Sequence, residues 1–178
     1  LFFHGTLHYW PNTEAVRFIA TELIPQLEQR KIDYQIVITG MNPPRYFAHE
    51  KILFTDAVED LAGHIAMADI CICPLQAGGG TRLKLLEYMA AGKPIISTRK
   101  GAEGIPQQGE MVLAETAEDF ATAIERLAGN PEQQKLLSRQ ALSFVSALDW
   151  EQVSARYVDL YQNKGRGENH FLELVAPK

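Results

Sequence analysis

The chain has 178 residues, 46% of them apolar and 22% charged, with a formal net charge of -5. Such a composition supports one well-cored α/β domain and excludes a disordered chain. The two charge signs are interspersed and no stretch approaches the ~20 apolar residues of a membrane span, which excludes a polybasic nucleic-acid surface and an integral membrane segment.

Short apolar runs alternate with longer amphipathic segments, the pattern of βα repeats around a parallel sheet. A strand over Leu1 to His4 ends in Gly5-Thr6. A chain that begins on a strand with no lead-in is expected to be part of something longer. A helix is predicted from Asn12 to about Arg30, capped by Asn12 or Thr13 and bent by Pro25. "QIVIT", Gln35 to Thr39, is a second strand closed by Gly40 and the turn "MNPP"; Lys51 to Phe54 is a third, and Val58 to Met67 a short helix. "DICICP", Asp69 to Pro74, is apolar on both faces, as a central parallel strand should be. Its cysteines, Cys71 and Cys73, have a spacing that suits neither a structural disulfide nor the usual zinc pairs, so buried thiols in a reducing cytoplasm are expected.

Three glycines follow, then a predicted helix from Thr81 to Ala91, stopped by Gly92 and Pro94. "PIIST" and "EMVLAE" are the fifth and sixth strands. The remainder is helical: Ala117 to Ala128, Glu132 to Leu148, and Asp149 to about Gln162. Asp149 is the predicted cap of the last helix, and Trp150, Val153, Tyr157, Leu160 and Tyr161 fall on one face. The tail "KGRGENHFLELVAPK" has no clear period and is expected to be mobile.

In open parallel sheets ligands sit outside the carboxyl ends of the strands, so Gly5, Gly40, Thr55 to Val58, Gly78 to Thr81 and Thr98 to Gly101 should share one rim. The triple glycine permits two readings, a flexible turn or a backbone cradle for phosphate at a helix N-terminus. Thr81 adds a hydroxyl there, and Arg82 in the first turn can point toward the same anion. On a helical wheel Leu83, Leu85, Leu86, Met89 and Ala90 form the buried stripe, with Lys84 and Glu87 off its edge. Glu87 either pairs with Lys84 at i,i+3 or accepts hydrogen bonds from vicinal ribose hydroxyls. The spacing matches neither G-x-x-x-x-G-K-[ST] nor G-x-G-x-x-G. His4, His8, His49, His64 and His170 lack metal-ligand spacing, and no metal is expected. His4 and His8 flank the first loop, and Glu103 sits on the predicted rim.

"PLQAGGGTRLKLLEYMAAGKPIISTRKGAEGI" resembles the donor-binding motif of the group 1 (family 4) retaining glycosyltransferases of the GT-B fold. "FFHGTLHYWPNTEAVRFI" is similar to the opening strand and phosphate loop of members with a "G-S-x-x-x-x-P-N" run. "ILFTDAVEDLAGHIAMADICICPL" matches their base-binding turn and central strand, and "LDWEQVSARYVDLY" resembles their closing helix. The four segments fall in the family's order across Leu1 to Tyr161.

The resemblance implies a Rossmann-like sheet of about six parallel strands flanked by helices, the C-terminal half of a GT-B enzyme, over residues 1–163. Residues 164–178 would be the tail, and an N-terminal acceptor domain would lie outside the chain. It implies a donor site in which Gly5 and Thr6 form the first phosphate loop and Gly40 and Val58 lie near the base. Gly78, Gly79, Gly80, Thr81, Arg82, Leu83 and Lys84 would face the diphosphate, and Glu87, the second glutamate of an E-x7-E motif, the ribose. Two departures stand out: Gly79 replaces the first motif glutamate, and the basic residue that many members carry after the first loop is missing, so Arg82 or Lys84 would supply its charge.

The implied partners are a UDP- or GDP-sugar and the acceptor domain, without nucleic acid, resident cofactor or metal. Membrane association, if any, would come through that other domain. The implied activity is sugar transfer with retention in glycan or polysaccharide biosynthesis, with the isolated chain inactive. A non-catalytic nucleotide-binding module and a GT-B sugar-nucleotide 2-epimerase relative would carry the same site. A flavodoxin-like binding domain is a more distant fit.

Overall fold

The computed structural model describes residues 1–80, 82–105, 109–148 and 150–163. Thr81, Asp149 and the 164–178 tail, each assigned a part above, lie outside the described residues. Six parallel strands, β1 (Phe2–His4), β2 (Ile36–Thr39), β3 (Ile52–Phe54), β4 (Cys71–Cys73), β5 (Ile95–Ser97) and β6 (Val112–Leu113), form one sheet in the order β3-β2-β1-β4-β5-β6. The expected α/β architecture is therefore present, and the strand order reverses between β1 and β4. Loops leaving those two strands diverge there and open a crevice at the carboxyl rim.

Burial follows position in the sheet. Every residue of β1, β4 and β5 is buried, and both cysteines are fully enclosed, whereas Leu53 on edge strand β3 is 52% exposed. Burial accordingly pushes the Cys71 thiol up to about 12 and raises Cys73 as well. The β1–β2 and β4–β5 connections run in opposite directions along the sheet, so the right-handed crossover rule assigns their helices to opposite faces.

The first helical segment differs from its predicted form. Helix α1 (Trp10–Phe18) starts two residues before Asn12, with Pro11 in its first turn, where a missing N–H and a fixed φ cost nothing. Neither Asn12 nor Thr13 is the cap. Their side chains reach back instead, Asn12 Nδ2 to the Thr6 carbonyl at 3.0 Å and Thr13 Oγ1 to the Leu7 carbonyl at 2.7 Å. Pro25 is accommodated by a π-helical stretch, Ile19–Leu23, in which Ile24 N–H bonds the Ile19 carbonyl, before α2 (Ile24–Gln29) resumes.

Helix α3 (Leu61–Ala66) is shorter than expected because Asp60 caps it, accepting from Gly63 N–H at 2.8 Å. Helix α4 (Leu83–Ala90) also starts late, with Arg82 at the cap position. It ends as the glycine predicts: Gly92 has φ +63°, its N–H bonds Met89 O, and Lys93 N–H bonds Tyr88 O. The buried side of α4 is Leu85, Tyr88 and Met89, while Leu83 is 61% exposed and Ala90 is exposed. At about 100° per residue Leu83 and Ala90 fall on roughly the opposite side of the helix from Leu85, so they do not belong to the buried stripe, and Tyr88 does.

Helices α5 (Ala117–Ala128), α6 (Pro131–Ser146) and α7 (Trp150–Asn163) complete the chain. A Thr116–Asp119 capping box opens α5, and Asn130 caps α6 through Gln133 N–H. α5 packs on α2 and α6 on α4. On α7 the predicted apolar face includes Tyr157 and Tyr161, both exposed.

Candidate functional site

The rim loops are stitched together by backbone. Gly5 N–H bonds the Thr39 carbonyl at 3.0 Å, Gly40 N–H bonds Asp56 O at 2.9 Å, and Thr98 N–H bonds Cys73 O at 3.2 Å. Gly40 has to be glycine for space as well as φ: a Cβ there would stand 1.8 Å from the Gly5 carbonyl oxygen. Around this seam lies a cavity of about 220 Å3 whose lining includes Gly5, Thr6, Gly40 and Val58. Four residues from three separate segments thus converge on one space. His4, which flanks the first loop, and Ala57, within the Thr55 to Val58 turn, also line it, together with Thr39, Met41 and Leu61, which had not been singled out. Their signal was position alone, since each sits at or just beyond the carboxyl end of a strand or at the start of α3.

A larger cavity, about 420 Å3, lies at the amino ends of the strands against Leu1, Gln35 and Ile70. None of the described candidate donor-site residues lines it, and strand-end logic places α/β ligands at the opposite rim, so size does not locate this site.

The second half of the rim is the glycine loop before α4. Gly78 and Gly80 have φ of +99° and +91°, a region L side chains rarely adopt, and a Cβ on Gly79 or Gly80 would meet nothing within 4 Å. The loop is held by Arg82, which does not point outward from the first turn as expected. Its guanidinium turns back and donates to Gly78 O at 3.1 Å, Gly79 O at 3.2 Å and Glu103 Oε2 at 3.1 Å, with the side chain only 6% exposed. Glu103 also accepts from Lys100, and chiefly that ammonium, with Arg82 adding to it, holds its carboxyl below the usual range. The exposed Leu83 opens α4, and the Arg82 side chain at the cap position makes no capping hydrogen bond.

Two contacts join this loop-helix unit to β1 and its loop. Lys84 Nζ donates to Asn12 Oδ1 at 2.8 Å and lies 4.3 Å from the centroid of the Phe3 ring. Burial lowers its pKa to about 8. Glu87 Oε2 lies 3.0 Å from His4 Nε2, so its contact is His4 and not the Lys84 partner that i,i+3 spacing suggested. The His4 ring, with further help from Lys84, lowers the Glu87 pKa against the opposing effect of burial. The crevice therefore combines a helix N-terminus, bare loop backbone, a partly buried amine and an accessible carboxylate. That set can hold an anion at one end and hydroxyl groups one turn further along. Among the described residues no cluster of three or more His, Cys, Asp or Glu is placed to hold a metal ion. No described helix is long and apolar enough to cross a membrane.

A doubly wound sheet with glycine loops at its switch point is a nucleotide-binding type of α/β domain. Residues 1–130 match the family Glycosyl transferases group 1, and the chain belongs to it. The D-inositol 3-phosphate glycosyltransferase of Saccharomonospora viridis is 29% identical over 110 residues, covering 58% of this chain and 25% of that protein. Among solved structures, Anabaena HepE in complex with UDP aligns with a TM-score of 0.72 at 14% identity, over 91% of this chain and 48% of that one. A Rickettsia africae glycosyltransferase aligns with a TM-score of 0.73 at 15% identity, over 94% and 48%. The C-terminal domain of the group 1 protein LpcC from Francisella tularensis gives a TM-score of 0.61 at 18% identity, over 82% and 83%. The chain spans a quarter of the curated relative and about half of the first two structures.

Proposed function

We propose that the chain is the nucleotide-sugar-binding half of a retaining glycosyltransferase, with the nucleoside diphosphate lying across the crevice between β1 and β4. The observation that carries this reading is the joining of the cavity at Gly5, Thr6, Gly40 and Val58 to the α4 N-terminus through His4–Glu87 and Asn12–Lys84. At about 220 Å3 the cavity is smaller than the roughly 300–1,000 Å3 of whole-ligand pockets, which suits a base rather than a complete sugar nucleotide. Gly78, Gly79, Gly80 and Leu83 present backbone to the diphosphate, Lys84 supplies its countercharge, and Glu87 accepts the ribose hydroxyls. Arg82 serves from behind, by shaping the loop.

In the transfer, the bond from the anomeric carbon to the phosphate oxygen breaks with retention. A new bond forms to an acceptor hydroxyl, which gives up its proton, and the nucleoside diphosphate departs. This chain's part is to hold the donor and stabilise the developing charge on the leaving diphosphate by the α4 dipole, loop amides and Lys84. No metal or cofactor is required for that role. The acceptor domain supplies the other wall, so the chain alone binds but does not turn over. The relatives fit this picture: HepE has been solved with UDP and with UDP-glucose, and the curated relative is a glycosyltransferase. Glycan biosynthesis in the cytoplasm is the corresponding setting.

Calorimetry with UDP, GDP and ADP on the chain and on Glu87→Ala tests the reading. We expect saturable binding of at least one nucleotide, weakened by ~1 to 3 kcal/mol in the variant. Absence of binding by all three would sink it.

A further inference from the structure

His4 closes β1 and Glu87 lies one turn into α4, so their contact crosses the crevice from strand to helix. The two ends differ in freedom. His4 is 8% exposed, and its ring is held edge-on to Tyr88 with centroids 5.2 Å apart and tilted against Phe2 at 5.9 Å. Its backbone N–H donates to Tyr88 Oη at 3.1 Å, which fixes the strand end to the same helix. The Glu87 side chain is 45% exposed, and its Oε2 lies 3.0 Å from His4 Nε2. An immobile ring therefore stands against one oxygen of an otherwise mobile carboxylate, at the edge of the cavity that His4 also lines.

We propose that His4 is a positioning residue for ribose recognition, holding Glu87 Oε2 so that the carboxylate presents its remaining acceptor capacity to two vicinal hydroxyls. This rests on the reading of Glu87 as the ribose acceptor. A vicinal diol needs a carboxylate in one orientation, and an exposed glutamate would otherwise lose rotamer freedom each time it bound. The His4 ring has lost that freedom on folding, so the geometry is set before the nucleotide arrives.

The test measures UDP and GDP against their 2′,3′-dideoxy counterparts on the wild-type chain, His4→Asn and His4→Gln. A glutamine amide nitrogen stands near the place of Nε2, whereas the shorter asparagine reaches only the place of Nδ1. Wild type should prefer the ribose form of the nucleotide it binds by about tenfold or more. In His4→Asn that preference, the ratio of the two affinities, should shrink about three- to tenfold, and His4→Gln should recover most of it. Since asparagine is a poor strand former, His4→Val is the parallel variant if His4→Asn does not fold.

Equal weakening of ribose and dideoxy nucleotides would mean that His4 only packs. An intact preference in His4→Asn or His4→Val, or a loss in His4→Gln as large as in His4→Asn, would also overturn the proposal. A wild-type chain without any ribose preference would remove Glu87 as acceptor, and that failure is read from the wild type alone.

Discussion

Lys84 and Asn12 meet across the crevice, the ammonium donating to Asn12 Oδ1 at 2.8 Å. Asn12 donates in turn to the Thr6 carbonyl at 3.0 Å, so a single amide couples the first glycine loop to the helix that follows the second. A Cβ on Gly5 would come within 2.8 Å of that amide, so glycine at this position is what lets the amide pack so closely on the loop. The Lys84 ammonium on α4 is thereby tied to the first loop through the Asn12 side chain.

This arrangement has a pH signature. In the free chain Lys84 titrates near 8, lowered mainly by burial; the nearby Arg82 pushes the same way, and Cys73 and Glu87 oppose it. A bound diphosphate favours the ammonium and raises its pKa. The Lys84 contribution to binding is therefore complete below about 8 and is lost as pH rises from the free toward the bound value. Nucleotide affinity should fall above about pH 8, with a binding enthalpy that depends on the buffer in that window because protons are taken up. Lys84→Met should bind about tenfold or more weakly and lack that dependence. Wild-type affinity that is flat through this window would remove Lys84 from the site. For folding, the unfolded chain holds more protons between about 8 and the ordinary lysine value of 10.5, so this group's contribution to stability rises across that range.

The three glycines separate by what each needs. Gly80 has φ +91°, so Gly80→Ala should cost about 1 kcal/mol or more by forcing a side chain into that region. Gly79 has no positive φ and nothing within 4 Å of its would-be Cβ. Gly79→Ala should therefore be neutral or stabilising by up to ~1 kcal/mol in thermal unfolding. If the bare backbone serves a ligand, Gly79→Ala nevertheless weakens binding of the sugar nucleotide. Equal stability with undiminished binding would show that Gly79 is glycine for neither fold nor ligand.

The order of strands and helices was legible because each apolar run matches a strand and each punctuating residue has a local cause, as Gly92 does at the end of α4. Helix starts were less so. Asn12 has the chemistry of a cap, but Pro11 had already fixed an earlier first turn and left Asn12 free to bridge two loops. The convergence of Gly5, Gly40 and Val58 followed from the parallel sheet, and the resemblance added Thr6. Side-chain pairing did not: Glu87 sits three residues from Lys84, yet its contact is His4, eighty-three residues away in sequence and adjacent only because β1 and β4 are neighbours. Local spacing ranks partners within a helix and is silent on what the sheet brings to it.

Arg82 and Glu103 form an unequal pair, and the inequality predicts which partner matters. The Arg82 side chain is 6% exposed and also holds the carbonyls of Gly78 and Gly79, whereas Glu103 is 54% exposed and shared with Lys100. An exposed carboxylate is screened by water, and the guanidinium keeps its two carbonyl bonds without it. Lysine cannot reproduce a planar fork that bridges two carbonyls. Arg82→Lys should therefore destabilise the chain by about 1 to 3 kcal/mol and speed amide exchange at residues 78–80. Glu103→Gln should leave both near wild type. Thermal unfolding and hydrogen exchange on the two variants decide the matter. If Glu103→Gln loosens the loop as much as Arg82→Lys does, the ion pair rather than the carbonyl fork shapes the glycine loop.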